Sequence, residues 1–263
     1  MAAGRSRRRK TPRTSGNSQE MWIYGHHAVF AALKNSNRMA KRVLHLRDSL
    51  PEDEPFPSEV DIKPEIVTRD QLEAVLPAGA VHQGIAALMS PLPTIAVEDI
   101  CAKAENLPNA LIVVLDRVSD PQNIGAIIRS AAVFGAMAVI IQDRNAPQIT
   151  GVIAKAASGG IEQVPLVRVT NLSRAIETLK NSNFWCIGLD SEAASDMQQV
   201  KPQPHTALVL GAEGAGLRRL VRENCDDLVR IEGSGTIASL NVSNAAAIAL
   251  YSLSRDSTAK PKK

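Results

Sequence analysis

The chain has 263 residues, 44% of them hydrophobic but only 3% aromatic, and a net charge of +3. That supports one large or two smaller domains with a core of Val, Ile, Leu and Ala, and no apolar run reaches the ~18 residues of a membrane span. No apolar stretch follows the basic N-terminus as in a secretory signal, and Cys101, Cys186 and Cys225 are scattered, without metal spacing, as in a reduced cytoplasmic protein.

Residues 1–20 read as a disordered basic arm. Arg5, Arg7, Arg8, Arg9, Lys10 and Arg13 precede the first acid, and Lys260, Lys262 and Lys263 lie in a second basic tail at 258–263. With these nine set aside, 21 basic residues face 27 acids, so the body carries a net charge near −6. Basicity confined to tails suits a polyanion, because each Lys or Arg set on a phosphate releases counterions. A tail that serves only solubility and, more weakly, a mitochondrial transit peptide are the alternatives.

Residues 21–90 form a small α/β unit. It has a helical pattern at 28–33, a strand at 42–46, a strand and helix within 65–76, and a strand at 85–88. Pro91, Pro93 and Pro108 mark 91–108 as a linker with one short helix at 97–104. Residues 109–257 then alternate. Apolar runs at 111–115, 138–141, 164–169, 185–189, 207–210 and 228–231 are separated by helical patterns at 124–134, 149–159, 172–180 and 217–223, and a long helix at 240–254 closes the domain. Continuous apolar strands between amphipathic helices predict a parallel sheet covered on both faces. In such sheets ligands bind beyond the carboxyl ends of the strands, which puts functional residues in the turns that follow them.

Three turns stand out. After 111–115 comes DRVSDPQNIGAIIRSA, where Asn123 is placed to cap a helix, Gly125 permits close approach of a backbone or ligand, and Arg129 sits on an otherwise apolar helix. That arginine requires either a ligand anion or a buried carboxylate. After 207–210 comes GAEGAGL, with Gly211, Gly214 and Gly216 spaced unlike a dinucleotide or P-loop fingerprint. Glu213 in this turn would repel a pyrophosphate. It fits a cationic or neutral polar ligand, an arginine in need of orientation, or a solvated position in a tight connection. After 228–231, Ser239, Asn241, Ser243 and Asn244 crowd the start of the last helix, more side-chain donors and acceptors than one N-cap needs.

Taken together, Asn123-x-Gly125-x-x-x-Arg129, Gly211-x-Glu213-Gly214-x-Gly216-Leu217 and Ser239-Leu240-Asn241-Val242-Ser243-Asn244-Ala245 resemble the three signature motifs of the SpoU (TrmH) family of the SPOUT superfamily. These are S-adenosylmethionine-dependent RNA ribose 2′-O-methyltransferases. IYGHHAVFAAL (23–33) and HQGIAAL (82–88) make the front unit similar to the family's L30e-like substrate-binding domain, an arrangement closest to the subgroup acting on a guanosine of 23S rRNA. The resemblance implies an L30e-like N-terminal domain followed by a SPOUT α/β domain with a deep C-terminal trefoil knot. It also implies a homodimer packed partly through the last helix, to which a face of small residues (Ala245, Ala246, Ala247, Ala249) would contribute.

By the same resemblance, S-adenosylmethionine is held near Leu189, Gly211, Gly216, Ile231 and Leu240, and no metal is used. Asn123, Arg129, Glu213, Ser239 and Asn241 are catalytic. The family proposal makes the arginine the general base. Because guanidinium stays protonated below pH ~12, Arg129 is better read as holding the adjacent phosphate and the developing alkoxide, with Glu213 or the phosphate accepting the proton. The chain departs from the family in having Glu232-Gly233 where Pro-Met is usual, which predicts a more polar and looser cofactor loop. His26, His27 and His82 are possible RNA contacts, though a lone histidine is more often structural. The competing readings are a tRNA ribose methyltransferase and an RNA-binding protein with an inactive knot. A Rossmann dehydrogenase is disfavoured by Glu213 and the glycine spacing.

Overall fold

The computed structural model describes residues 20–50, 56–57, 62–144, 147, 149–201, 203–235 and 239–255. The basic arm up to residue 19 and the 258–263 tail lie outside the described residues. The front unit is a four-stranded sheet in the order β1-β4-β2-β3. It is made by β1 (Met21–Tyr24), β2 (Ala40–His45), β3 (Glu65–Ile66) and β4 (Ile85–Met89), with α1 (His26–Lys34) and α2 (Arg69–Glu73). β4 runs antiparallel to both β1 and β2, while β2 and β3 are parallel. The sequence reading had no strand at 21–24. Met-Trp-Ile-Tyr is too short to show alternation, and its pairing with β4, Met21 opposite Met89, is what makes it a strand. Thr68 and Gln71 form a reciprocal capping box that starts α2.

The helix expected at 97–104 is present as α3 (Val97–Ala104). Its residues at i, i+3, i+4 and i+7, Val97, Ile100, Cys101 and Ala104, are buried in the same cluster as Ile112, Val114, Leu172 and Ile176 of the rear sheet and its helices.

Seven parallel strands form the rear sheet: β5 (Ala110–Leu115), β6 (Ala138–Gln142), β7 (Leu166–Val169), β8 (Trp185–Leu189), β9 (Ser195–Asp196), β10 (His205–Leu210) and β11 (Asp227–Arg230). Their order is β7-β6-β5-β10-β8-β11-β9. The chain enters at β5, steps outward to β6 and β7, and crosses to β8. It then returns to place β10 between β5 and β8. β9 is two residues long and was not legible as a strand. α4 (Pro121–Val133), α5 (Gly151–Ala157), α6 (Leu172–Asn181), α7 (Arg219–Asn224) and α8 (Val242–Arg255) cover the faces.

Gly125 serves the packing of α4 on α5. A Cβ there would overlap the Ala156 side chain and stand 2.8 Å from the Ile153 carbonyl oxygen, so its close partner is a backbone and not a ligand. The small residues of α8 also face inward. Ala246 and Ala249 are fully buried in one cluster with Ile124, Ile127 and Ile128 of α4, whereas Ile248 and Tyr251 are the exposed apolar side chains of α8. The alanines therefore pack within the chain, because they let α8 settle on α4.

Front unit and rear sheet meet on α5 and the turn after it. A Cβ on Gly151 would stand 2.6 Å from the Trp22 carbonyl oxygen of β1. Lys155 Nζ donates to Gln83 Oε1 at 2.7 Å, and the same oxygen accepts the His26 amide at 3.2 Å. Thus YGHH and HQG, far apart in the sequence, converge on one lysine of the rear domain. Desolvation lowers the pKa of that lysine. Nearby, Glu162 is ion-paired with Arg38 and accepts from Asn35 Nδ2 at 2.8 Å. Both members of that ion pair are buried, so removing either would leave an uncompensated charge.

Candidate active site

The three turns do follow strand carboxyl ends: 116–120 after β5, 211–218 after β10, and 231–241 after β11. Parallel register aligns those ends, with Leu210 opposite both Leu115 and Leu189, and Val229 opposite Leu189. The direction in which strands are added to the sheet reverses after β7, and β10 fills the place between β5 and β8; open α/β sheets form their crevice at such a reversal of strand order.

The turn 211–217 folds back on itself. Ala212 and Gly216 exchange backbone hydrogen bonds at 3.2 and 2.9 Å, and Gly214 and Gly216 hold φ of 74° and 63°, a region that side chains disfavour. A Cβ on Gly211 would stand 2.5 Å from the Leu217 nitrogen. The glycines thus form a compact hairpin, and its tip presents Glu213.

Glu213 is where the three turns join. Its Oε1 accepts Asn123 Nδ2 at 3.0 Å, Asn241 Nδ2 at 2.7 Å and the Val242 amide at 3.4 Å. Asn241 Nδ2 also donates to Asn123 Oδ1 at 3.0 Å. Asn241 Oδ1 accepts the Ser243 amide at 2.9 Å and its hydroxyl at 2.6 Å, so this one side chain caps α8 while binding the carboxylate. The negative charge lies at the N-terminus of α8, where the helix dipole favours it. Among the described residues none donates to Glu213 Oε2, and Glu213 is exposed.

Asn123 does not cap α4. Asp120 does, accepting the Gln122 amide at 2.9 Å. Asn123, one turn in and 9% exposed, turns its side chain to Glu213. Asp116, at the end of β5, is fully buried and is satisfied by Arg218, whose amide and Nε donate to it at 2.8 and 2.6 Å. Arg129 stands apart from the cluster. It is exposed on α4 and makes no hydrogen bond or ion pair with any described residue. Its charge is solvated, which is why an apolar helix tolerates it. Val133, one turn further on the same face, is 71% exposed. Ser239 and Leu240 are exposed beside the start of α8.

Leu189, Gly211 and Ile231 lie at the ends of β8, β10 and β11, and Leu189 and Ile231 are half-buried against the core. The segments 211–217 and 231–235 contain no lysine or arginine and two carboxylates, Glu213 and Glu232. Arg218, which follows the first, is engaged by Asp116. The charge of these two segments disfavours a phosphate bound directly against them and suits a cationic ligand. The loop after β11 is also less loose at its root than Glu232-Gly233 suggested. The Glu232 amide donates to buried Asp196 at 3.2 Å, a bond that proline could not make. Burial pushes the Cys186 and Cys225 thiols up to about 12, which removes both as nucleophiles. No group of His, Cys, Asp and Glu fit to hold a metal occurs among the described residues, and none of their helices is long and apolar enough to cross a membrane.

The arrangement has close counterparts. The model of the SpoU rRNA Methylase family matches residues 110–251, which include all three turns. The chain belongs to the SpoU rRNA methylase family. A second model, described as RNA 2′-O ribose methyltransferase substrate binding, matches residues 22–94, so the SpoU chain carries both units in the expected order. It is 40% identical over 234 residues to the 23S rRNA (guanosine-2′-O-)-methyltransferase RlmB of Photobacterium profundum, covering 87% of this chain and 95% of that protein. It is also 40% identical over 240 residues to RlmB of Haemophilus influenzae, covering 89% and 96%. The SpoU methyltransferase AviRb of Streptomyces viridochromogenes, solved with AdoMet, shares the fold with a TM-score of 0.76 at 23% identity over 91% of each chain.

Proposed function

We propose that this SpoU protein transfers a methyl group from S-adenosylmethionine to a ribose 2′-hydroxyl of RNA, namely that of a guanosine of 23S rRNA. The observation that carries the reading is the Asn123–Glu213–Asn241 cluster, set where three strand ends form a crevice suited to a cationic ligand. Relatives named for this activity at 40% identity over nearly their whole length support the substrate. When bound, the cofactor supplies an electrophilic methyl. Leu189, Gly211, Gly216, Ile231 and Leu240 hold it by apolar contact and backbone groups. Asn123 and Asn241 fix Glu213 through Oε1, which leaves Oε2 to take the 2′-hydroxyl proton as the ribose oxygen attacks. Arg129 stabilises the developing alkoxide and the neighbouring phosphate, and Ser239 orients the ribose.

On this reading the segment after β10 forms a deep trefoil knot, the 21–90 unit is L30e-like and binds RNA, and the basic arm and tail add contacts to phosphate. Residues 91–108 connect that unit to a methyltransferase domain at 109–257, and the enzyme works without metal in the cytoplasm. A second copy packs against the exposed face of Val133, Ile248 and Tyr251. Arg129, one turn before Val133, then lies at the seam and serves the partner's site.

The test is transfer of labelled methyl to unmodified 23S rRNA, with tRNA in parallel. Label in ribose-methylated guanosine is expected with wild type and is lost in Arg129→Ala. An equimolar mixture of Arg129→Ala and Glu213→Ala chains should regain activity, since a mixed dimer holds one intact composite site. Label in tRNA alone would overturn the substrate, and no recovery on mixing would place Arg129 and Glu213 of one chain in one site.

A further inference from the structure

Four described non-glycine residues have positive φ: Gln83, Arg117, Ser158 and Asn183. Three have local reasons. Gln83 is fixed by Lys155 and the His26 amide, Ser158 is the C-cap of α5, and Asn183 closes the turn after α6, where asparagine tolerates this conformation. Arg117, at φ 60°, has none. It is exposed and forms no hydrogen bond or ion pair with any described residue. An unfavourable backbone conformation persists only where the surroundings fix it, and it concentrates at functional positions.

The surroundings fix Arg117 on both sides. The Asp116 amide donates to the Leu210 carbonyl at 2.8 Å while its carboxylate binds Arg218. Six residues after Arg117, Asn123 is bonded to Glu213. The segment 116–123 is thus held at one end by both flanks of the 211–217 hairpin and at the other by Glu213 at its tip, and Arg117 is exposed between them at the carboxyl end of β5. Its neighbouring acids are occupied: Asp116 by Arg218, and Asp120 by the Gln122 amide.

We infer that Arg117 holds a phosphodiester of the RNA strand entering the site, an assignment that rests on the methyltransferase reading above. An RNA backbone approaching this crevice meets the exposed carboxylates of Asp120, Glu213 and Glu232 on a body of net charge near −6. A polyanion needs a local cation there. The guanidinium fork of Arg117 suits a phosphate bidentately, and Asp116 beside it is already engaged by Arg218, which leaves the fork exposed for a ligand. Arg117 acts on the substrate strand and not on the cofactor.

The experiment compares wild type, Arg117→Gly and Arg117→Lys in binding a 23S rRNA transcript across a series of salt concentrations, in S-adenosylmethionine binding and in thermal unfolding. Glycine removes the cation and relieves the conformation. It should weaken RNA binding roughly tenfold at moderate salt and reduce the log–log salt slope by about 0.7–0.9. Cofactor affinity should stay unchanged and the unfolding midpoint should not fall. Lysine should recover the slope but only part of the affinity. Equal RNA affinity and slope in wild type and Arg117→Gly would overturn the assignment. So would a lowered midpoint with cofactor binding lost in step, which would make Arg117 a structural residue of the 116–123 segment. If wild type binds the transcript but transfers no methyl, the methyltransferase reading fails while the Arg117 comparison still decides the phosphate contact.

Discussion

Replacing Glu213 separates its structural role from its chemical one. Glu213→Ala removes an oxygen that serves three donors. Asn123 is buried, and an unsatisfied buried donor costs about 1–3 kcal/mol. Asn241 is exposed, so water replaces most of its loss. The negative charge at the start of α8 contributes about 0.3–1 kcal/mol more. The alanine variant should therefore lose about 1–4 kcal/mol, or roughly 3–16 °C at about 2–4 °C per kcal/mol for a chain of this size. Glu213→Gln keeps the Oε1 acceptor and loses only the charge, so about 1 kcal/mol is expected. Urea unfolding at constant m would measure the difference. If Oε2 takes the 2′-hydroxyl proton as proposed, glutamine removes that acceptor, and kcat should fall about 10²–10⁴-fold while cofactor affinity holds. Equal stability of the two variants would refute the hydrogen-bonding argument. Wild-type kcat in Glu213→Gln would refute the assignment of the proton to Oε2 and move it to the phosphate.

Two further outcomes follow from packing and burial. Gly125→Ala drives a Cβ into Ala156 and the Ile153 carbonyl and should cost about 1–3 kcal/mol, whereas Gly233→Ala, with open space around it, should stay within about 0.5 kcal/mol; chemical denaturation of both variants checks the contrast. Cys186 and Cys225 have folded pKa values raised from 9.0 to about 12, so the unfolded chain gives up its thiol protons first. The stability they confer is complete below pH 9 and should drain away as pH rises toward 12. Native protein at pH 8 should accordingly show Cys186 reacting slowly with a disulfide reagent, and its fast modification would contradict its burial.

Much of the rear sheet was legible because its strands are buried on both faces and read as unbroken apolar runs. β1 and β9 were not. Four and two residues carry no period, and each exists only through its pairing with β4 or β11. The site was legible as three turns but not as a set of bonds. Nothing local tells that Asn123 would yield helix capping to Asp120 and reach a carboxylate 90 residues away. Nor does sequence order reveal that Arg129 faces solvent while Asn123, two turns earlier on α4, faces the cluster. Arg117 escaped notice for a related reason. Its signal is a backbone angle, and an arginine in a turn looks like any solvated charge.

The insertion of β10 between β5 and β8 governs the order in which a newly made chain can mature. β5 and β8 both precede β10 in the chain, yet they cannot pair with each other without closing the slot that β10 must fill. Until then each presents an unpaired edge, and β5 is the wholly apolar Ala-Leu-Ile-Val-Val-Leu, a template for pairing with other chains. The carboxylate at residue 213 arrives just behind β10, and the asparagine that caps α8 later still. Closure of the sheet and assembly of the Asn123–Glu213–Asn241 cluster therefore both wait for the chain beyond residue 204.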